Sequence, residues 1–285
     1  MKRVSAQALM SLAETLPERQ RQIVVSVGRL RLVMGSQLER LYFNETDKAA
    51  SRERAARRVL AELATQHLLL RLERRIGGVR AGSAGHIYAL GPIGKRLTAY
   101  WQGQGLVRVR TTHEPGAVFV RHTLAVAGQY VQLIEAERAG QCELLAFDSE
   151  PTCWRPHQGQ HGRRVTLKPD AYVRLGVGEF EQRSFLEVDC GSEGRGALMA
   201  KCRYYIGYYQ TGLEQAEHGV FPRVVWVTTN HARVRLMVEV CSALPPEYWQ
   251  LFQVVPLDGA IEALTGNGDD SSPKLAAEDH DKIYK

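Results

Sequence analysis

Charge is divided unevenly along this chain, and the division constrains its architecture before any motif does. Residues 1–112 carry 20 Lys and Arg against 8 Asp and Glu, whereas residues 113–285 carry 17 against 23. A basic stretch followed by an acidic one reads as two bodies with different tasks. A length of 285 residues suits one large domain or two ordinary ones. The join is expected at Thr111–Pro115, where a basic strand-like run ends in T-T-H-E-P-G, giving domains at 1–112 and 113–265. Gly266 to Asp281 is rich in Gly, Asp, Ser and Pro, so 266–285 is expected to be a disordered tail. Hydrophobic residues at 44% supply a core and exclude wholesale disorder. No apolar run reaches the ~18 residues of a spanning helix, so no membrane partner is expected. Met1–Ser5 leads into no long apolar stretch, so no signal peptide is expected either. Five scattered cysteines without a C-x-x-C pair argue against a disulfide framework and for a reducing, cytoplasmic setting.

The first unit reads as three helices, a hairpin and a closing helix. Pro17 opens a helix with Ile23, Val24 and Val27 on one face. Gly35–Ser36 starts a short helix to Tyr42, and a longer one runs from about Lys48 to Gln66. Ala55, Val59 and Leu63 recur there at i, i+4 and i+8 as the expected inner stripe, with Arg54, Arg57 and Arg58 roughly opposite. Leu68–Leu72 and His86–Leu90 flank a Gly-rich basic loop with Arg74, Arg75 and Arg80, and Ile93–Trp101 closes the unit. This is the order of a winged helix-turn-helix. An arginine-bearing helix of that width enters a major groove, and wing arginines reach backbone or minor groove, so double-stranded DNA is the expected partner. A solvated basic helix on a protein-binding wing is the competing reading.

The second unit opens with an amphipathic helix at 118–138, its stripe expected at Leu124, Val131 and Ile134. Strands follow at Cys142–Phe147, Thr166–Leu175 and Phe180–Asp189, then a helix at Gly194–Thr211, a strand at Arg223–Thr228, a helix at Asn230–Cys241 and a strand at Leu251–Val255. The fold class is therefore α/β, α+β over the whole chain. Period-two alternation puts Phe185, Glu187 and Asp189 on one strand face. Two carboxylates side by side repel, and burial would force a proton on one of them. A divalent cation removes that cost, and so does a lysine. Hard oxygen ligands suit Mg2+ or Mn2+. Lys201 on the next helix is placed to reach back, with Tyr205 and Tyr208 following on its side.

Asp170, with Glu187-x-Asp189 seventeen residues later, resembles the PD-(D/E)-x-K nuclease signature on its α-β-β-β-α-β core, a restriction-endonuclease-like fold. The resemblance implies that the acids Asp170, Glu187 and Asp189 hold the metal, which activates water, while a lysine stabilises phosphate charge. Asp189 stands in the lysine slot here, and Lys201 would be the lysine moved to the following helix. The whole chain except its tail is also similar to the replication-relaxation family of plasmid and mobile-element proteins. The residues that carry this are Arg121-His122-Thr-Leu-Ala-Val, Lys168-Pro169-Asp170-Ala-Tyr, Phe185-Leu-Glu187-Val-Asp189-x-Gly191-Ser-Glu193, Lys201-x-x-x-Tyr205 and Phe221-Pro-Arg223-Val-Val-x-Val-Thr. This implies plasmid replication, relaxation or mobilisation on DNA. Replication or conjugation proteins and a second copy of the chain are further candidate partners.

Other residues invite chemistry. His122 could touch phosphate or order the acids, or be a helix-face histidine with a local hydrogen bond. Tyr204, Tyr205, Tyr208 and Tyr209 could offer a phosphotyrosyl nucleophile, but an amphipathic helix that buries the rings and leaves the hydroxyls in water is the better reading. Cys153, His157 and His161 have zinc-like spacing, yet zinc needs a fourth ligand, and Pro156, Gly159 and Gly162 suggest a loop. Glu193 is either a further ligand or a helix-start acid favoured by the dipole. Two functions remain open: a metal-dependent nickase, or a DNA-binding initiator or regulator on an inactive nuclease-like scaffold.

Overall fold

The computed structural model describes residues 5–45, 47–72, 85–105, 115–159 and 162–266. The chain forms two compact units, 1–131 and 132–285. The boundary expected between 112 and 113, the wing arginines Arg74, Arg75 and Arg80, and all of the expected tail except Gly266 lie outside the described residues.

The first unit begins with α1 (Ala6–Thr15), capped by the Ser5 side chain, which accepts the Ala8 N–H at 3.2 Å. This helix was not expected from the sequence. Then come α2 (Glu18–Leu30), β1 (Val33–Met34), α3 (Gly35–Tyr42), α4 (Ala49–Thr65), β2 (Leu69–Leu72), β3 (Ile87–Leu90) and α5 (Pro92–Trp101). The three strands form an antiparallel sheet in the order β1-β3-β2. Helix α5 starts hard against the beginning of β2. A Cβ at Gly94 would stand 2.1 Å from the Leu68 carbonyl oxygen, which only glycine tolerates. On α4 the buried stripe is Ala56, Leu60 and Leu63, correcting the expected Ala55, Val59 and Leu63. Both sets have helical spacing, and packing chose the neighbouring row.

Helix α6 (Ala117–Arg138) runs through residue 131. Its early turns complete the first core, where Val120 and Leu124 pack with Leu32 and Ile87. Gln37 ties α3 to it by donating to the Leu124 carbonyl at 3.0 Å. Farther along, Leu133 is buried where Ile134 was expected.

The second unit is a mixed α/β structure. Its strands are β4 (Glu143–Ser149), β5 (Arg155–Gln158), β6 (Arg164–Leu167), β7 (Ala171–Val177) and β8 (Phe180–Asp189), followed by α7 (Arg195–Tyr209), α8 (Leu213–His218), β9 (Arg223–Thr228), α9 (His231–Ser242), β10 (Phe252–Pro256) and α10 (Ala260–Thr265). Five strands form one sheet in the order β10-β9-β8-β7-β4. The pairs β4–β7 and β7–β8 are antiparallel, whereas β8–β9 and β9–β10 are parallel. The expected single strand Thr166–Leu175 is split, because Pro169 has no N–H to give a ladder. Its first half, β6, pairs instead with β5 in a separate hairpin, so Pro156 lies in a strand and not in the loop expected from Pro156, Gly159 and Gly162.

Register sets the faces. Phe185, Glu187 and Asp189 lie opposite Val224, Trp226 and Thr228. Phe185, Val224 and Trp226 join Leu198, Cys202, Tyr205, Met237 and Cys241 in one core, so α7 and α9 cover this face. All residues from Ser184 to Asp189 are buried, so both faces of the end of β8 are covered. No described helix is long and apolar enough to cross a membrane.

Candidate functional site

The carboxyl end of β8 is where acids converge, the end at which open α/β sheets bind ligands. Asp170 sits just before β7, across from Glu187 in register. Its N–H donates to the Leu186 carbonyl at 3.1 Å, and its carboxylate accepts the Val188 N–H at 2.7 Å. Pro169 prevents the ladder from running on, so the chain turns in at Asp170 instead.

Glu187 is fully buried. The Tyr205 hydroxyl donates to its Oε1 at 2.5 Å, and Lys201 Nζ lies 2.5 Å from its Oε2. Tyr205 is one turn after Lys201 on α7, so a single helix face supplies both contacts. Burial pushes the Glu187 carboxyl up to about 8; Lys201 opposes this and Asp170 adds to it. For Lys201, burial alone would lower the ammonium, but the Glu187 carboxylate outweighs it and the net shift is upward. The Lys201 ammonium also stands over the Trp226 ring, 5.3 Å from its centroid.

Asp189 is held differently. Arg233 on α9 donates through Nε to Oδ2 at 2.5 Å and through Nη2 to Oδ1 at 2.8 Å. The same Nη2 donates to the Glu193 carbonyl, so the arginine also fixes the segment leading into α7. Sequence reasoning missed Arg233. A signal existed: Asn230 caps α9 by accepting the Arg233 N–H at 2.9 Å, so a capped helix begins directly after a strand and carries an arginine in its first turn.

The donor chemistry suits a divalent cation at Asp170 and Glu187 once Lys201 gives up Glu187 Oε2, since the two acids bring hard oxygens to one strand end. It does not suit one at Asp189, whose two oxygens are both engaged by Arg233. Among the described residues, no group of three or more His, Cys, Asp or Glu is arranged to hold a metal. Lys201 thus comes together with Asp170 and Glu187, whereas Asp189 is tied to Arg233. His122 lies on α6 in the first unit, and the acids lie in the second.

A cavity of about 220 Å3 opens over this site, with Glu187 and Lys201 in its lining. Thr166, Leu167 and Lys168 from the end of β6 line it too, as do Tyr204 and Tyr205 from α7. Farther along the same face a second buried acid, Glu214, accepts from the Tyr208 hydroxyl and from Arg155 Nε, each at 2.9 Å. Tyr205 and Tyr208 therefore have their hydroxyls on carboxylates, while Tyr204 is exposed. Cys153 donates to the Pro169 carbonyl at 3.0 Å and His157 Nδ1 lies 3.1 Å from the Arg155 carbonyl oxygen; His161 is outside the described residues.

In the first unit, Arg54 and Arg58 are exposed on the face of α4 opposite its buried stripe, with Ser51, Ala61 and Thr65. Arg57 is also exposed, but it pairs with Glu53 at 2.7 Å.

A family model described as Replication-relaxation matches residues 25–224, from within α2 into β9. No curated protein and no solved structure gives a significant match.

Proposed function

The chain belongs to the replication-relaxation family, which points to a role related to plasmid replication, and from that premise we propose that it works by binding double-stranded DNA. The first unit acts as a winged helix-turn-helix, with α4 entering the major groove. The observation that carries this reading is the arginine face of α4: Arg54 and Arg58 are exposed among small side chains that let the helix come close to DNA. His122, next to the exposed Arg121 on α6, is assigned a phosphate contact. The test is a gel-shift series on the full chain at rising salt, beside an Arg54→Ala/Arg58→Ala variant. Binding that falls with salt in the parent and is weakened in the variant supports the reading; equal binding by both overturns it.

A second reading, metal-dependent nicking, is favoured by the meeting of Asp170, Glu187 and Lys201 on a restriction-endonuclease-like sheet. Asp170 and Glu187 would hold Mg2+ or Mn2+, and a bound ion would supply Lewis acidity at a phosphate oxygen. Lys201 would stabilise charge on the phosphate, and Tyr205 would orient Glu187. Supercoiled plasmid from the cognate element, incubated with Mg2+, Mn2+ or EDTA, tests it. Open circles that need metal and are lost in Asp170→Ala and Lys201→Ala support nicking. Intact plasmid with a retained gel shift leaves a DNA-binding initiator that does not cut.

A further inference from the structure

Many cations of the second unit face carboxylates. Arg155 pairs with Glu214, Arg174 and Arg183 with Glu181, Arg195 with Glu239, Arg233 with Asp189 and Lys201 with Glu187. Lys168 is different: no carboxylate pairs with it among the described residues. Its ammonium sits over the Trp154 ring, 4.5 Å from the centroid. A cation–π contact fixes an ammonium in place without cancelling its charge. Pro169 stiffens the backbone just after it. The result is an exposed cation, held in position, in the wall of the cavity above Lys201.

The cavity around it suits an anion with hydrogen-bond acceptors. The hydroxyl-bearing Thr166 and the exposed Tyr204 share its lining with Lys168. At about 220 Å3 it is smaller than pockets that enclose a whole drug-sized ligand, which run from ~300 Å3 upward. It therefore suits one group of a larger molecule whose remainder stays outside.

We propose that this cavity is a phosphate subsite in which Lys168, held by Trp154, grips one backbone phosphate of the strand presented to Asp170, Glu187 and Lys201. The assignment rests on the DNA-binding reading. A free phosphate compound offers the same chemistry, but the small cavity favours a polymer phosphate.

Salt dependence separates the outcomes, because each phosphate contact on duplex DNA adds about 0.9 to the slope of log affinity against log salt. Fluorescence anisotropy of the full chain with a labelled duplex would compare the parent with Lys168→Gln and Lys168→Arg, once all three are shown to melt alike. The expected result is a slope lower by about one in Lys168→Gln and restored in Lys168→Arg. Equal slopes for the parent and Lys168→Gln would overturn the subsite while leaving DNA binding by the first unit intact. A parent with no salt-sensitive DNA binding would overturn the DNA reading and the subsite with it. A third arm titrates inorganic phosphate and a nucleoside monophosphate. Thermal stabilisation by either that is lost in Lys168→Gln, with the DNA slope unchanged, would reassign the subsite to a free ligand and overturn the assignment to a strand.

Discussion

Arg233 clamps Asp189 with two nitrogens, one on each carboxylate oxygen, at 2.5 and 2.8 Å. The Asp189 side chain is 1% exposed and that of Arg233 14%, so little water is left to take over if either partner goes. Removing one partner of a buried pair typically costs about 3–5 kcal/mol, because the other is left uncompensated. Arg233→Ala should lose stability on that scale in urea unfolding, and adding Asp189→Asn should recover part of it. Full additivity of the two losses would mean that the pair is not the unit described.

Tyr205 donates to Glu187 from within the core. Tyr205→Phe keeps the ring and deletes the donor, and leaving a buried acceptor without its partner costs about 1–3 kcal/mol. A loss in that range is expected. If the nicking reading holds, the rate should also fall while DNA affinity stays constant, which a purely structural tyrosine would not produce.

Stability should also depend on pH through Glu187. Its carboxyl is raised by burial to about 8 in the folded chain, from an ordinary 4.5. The folded state thus holds a proton that the unfolded state gives up, so this contribution is full below pH ~4.5 and is lost as pH rises through ~8. Urea midpoints measured between pH 5 and 9 should decline, and Glu187→Gln should flatten that decline. A variant with the parent's slope would show that the proton sits elsewhere.

Thiol labelling offers a check on the second core. Cys153, Cys202 and Cys241 are buried. Burial, with the charges of Glu150 and Asp170, pushes the Cys153 thiol up to about 12. At pH 8 the reactive thiolate is then about one part in ten thousand. Iodoacetamide followed by mass spectrometry should leave these three unmodified in the native chain and label all five cysteines in urea. Rapid native labelling of Cys153 would contradict its placement.

Within α4, the arginines should not be equivalent. Arg57 has Glu53 beside it, whereas Arg54 and Arg58 lie on the face away from the core. Arg54→Ala or Arg58→Ala should each reduce the salt slope of DNA binding by about one, and Arg57→Ala by less. An equal effect at all three positions would mean that the Glu53 pair opens on the DNA.

Much of this was legible from residues read singly. Pro17, the Gly35–Ser36 start and the V-V-W-V run each mark their elements, because caps, helix starts and β-branched runs act locally. Lys201 could be matched to Glu187 because only one helix follows the strand before the next turn. What escaped depends on packing. Ala56 and Leu60 rather than Ala55 and Val59 face the core of α4, and adjacent rows of a helix have the same periodicity. The strand β5, R-P-H-Q, has no β-forming composition and exists through its pairing with β6. Arg233 lies forty-four residues from its acid, a separation that no local pattern spans.

Strand β8 is both the last antiparallel strand of its sheet and the first parallel one. It reaches β7 through a tight turn, whereas β9 must wait for α7 and α8, and Arg233 arrives only with α9. Contacts close in sequence tend to form sooner. The site should then mature in chain order, acids first, lysine next, arginine last, and pulsed hydrogen exchange should protect β7 and β8 before β9 and β10. A chain cut short before α9 would carry Asp189 without its counter-charge. Such a fragment, with a buried acid left uncompensated, should be less stable than the full chain and open more readily to proteases, so the arginine doubles as a mark that synthesis of the fold has been completed.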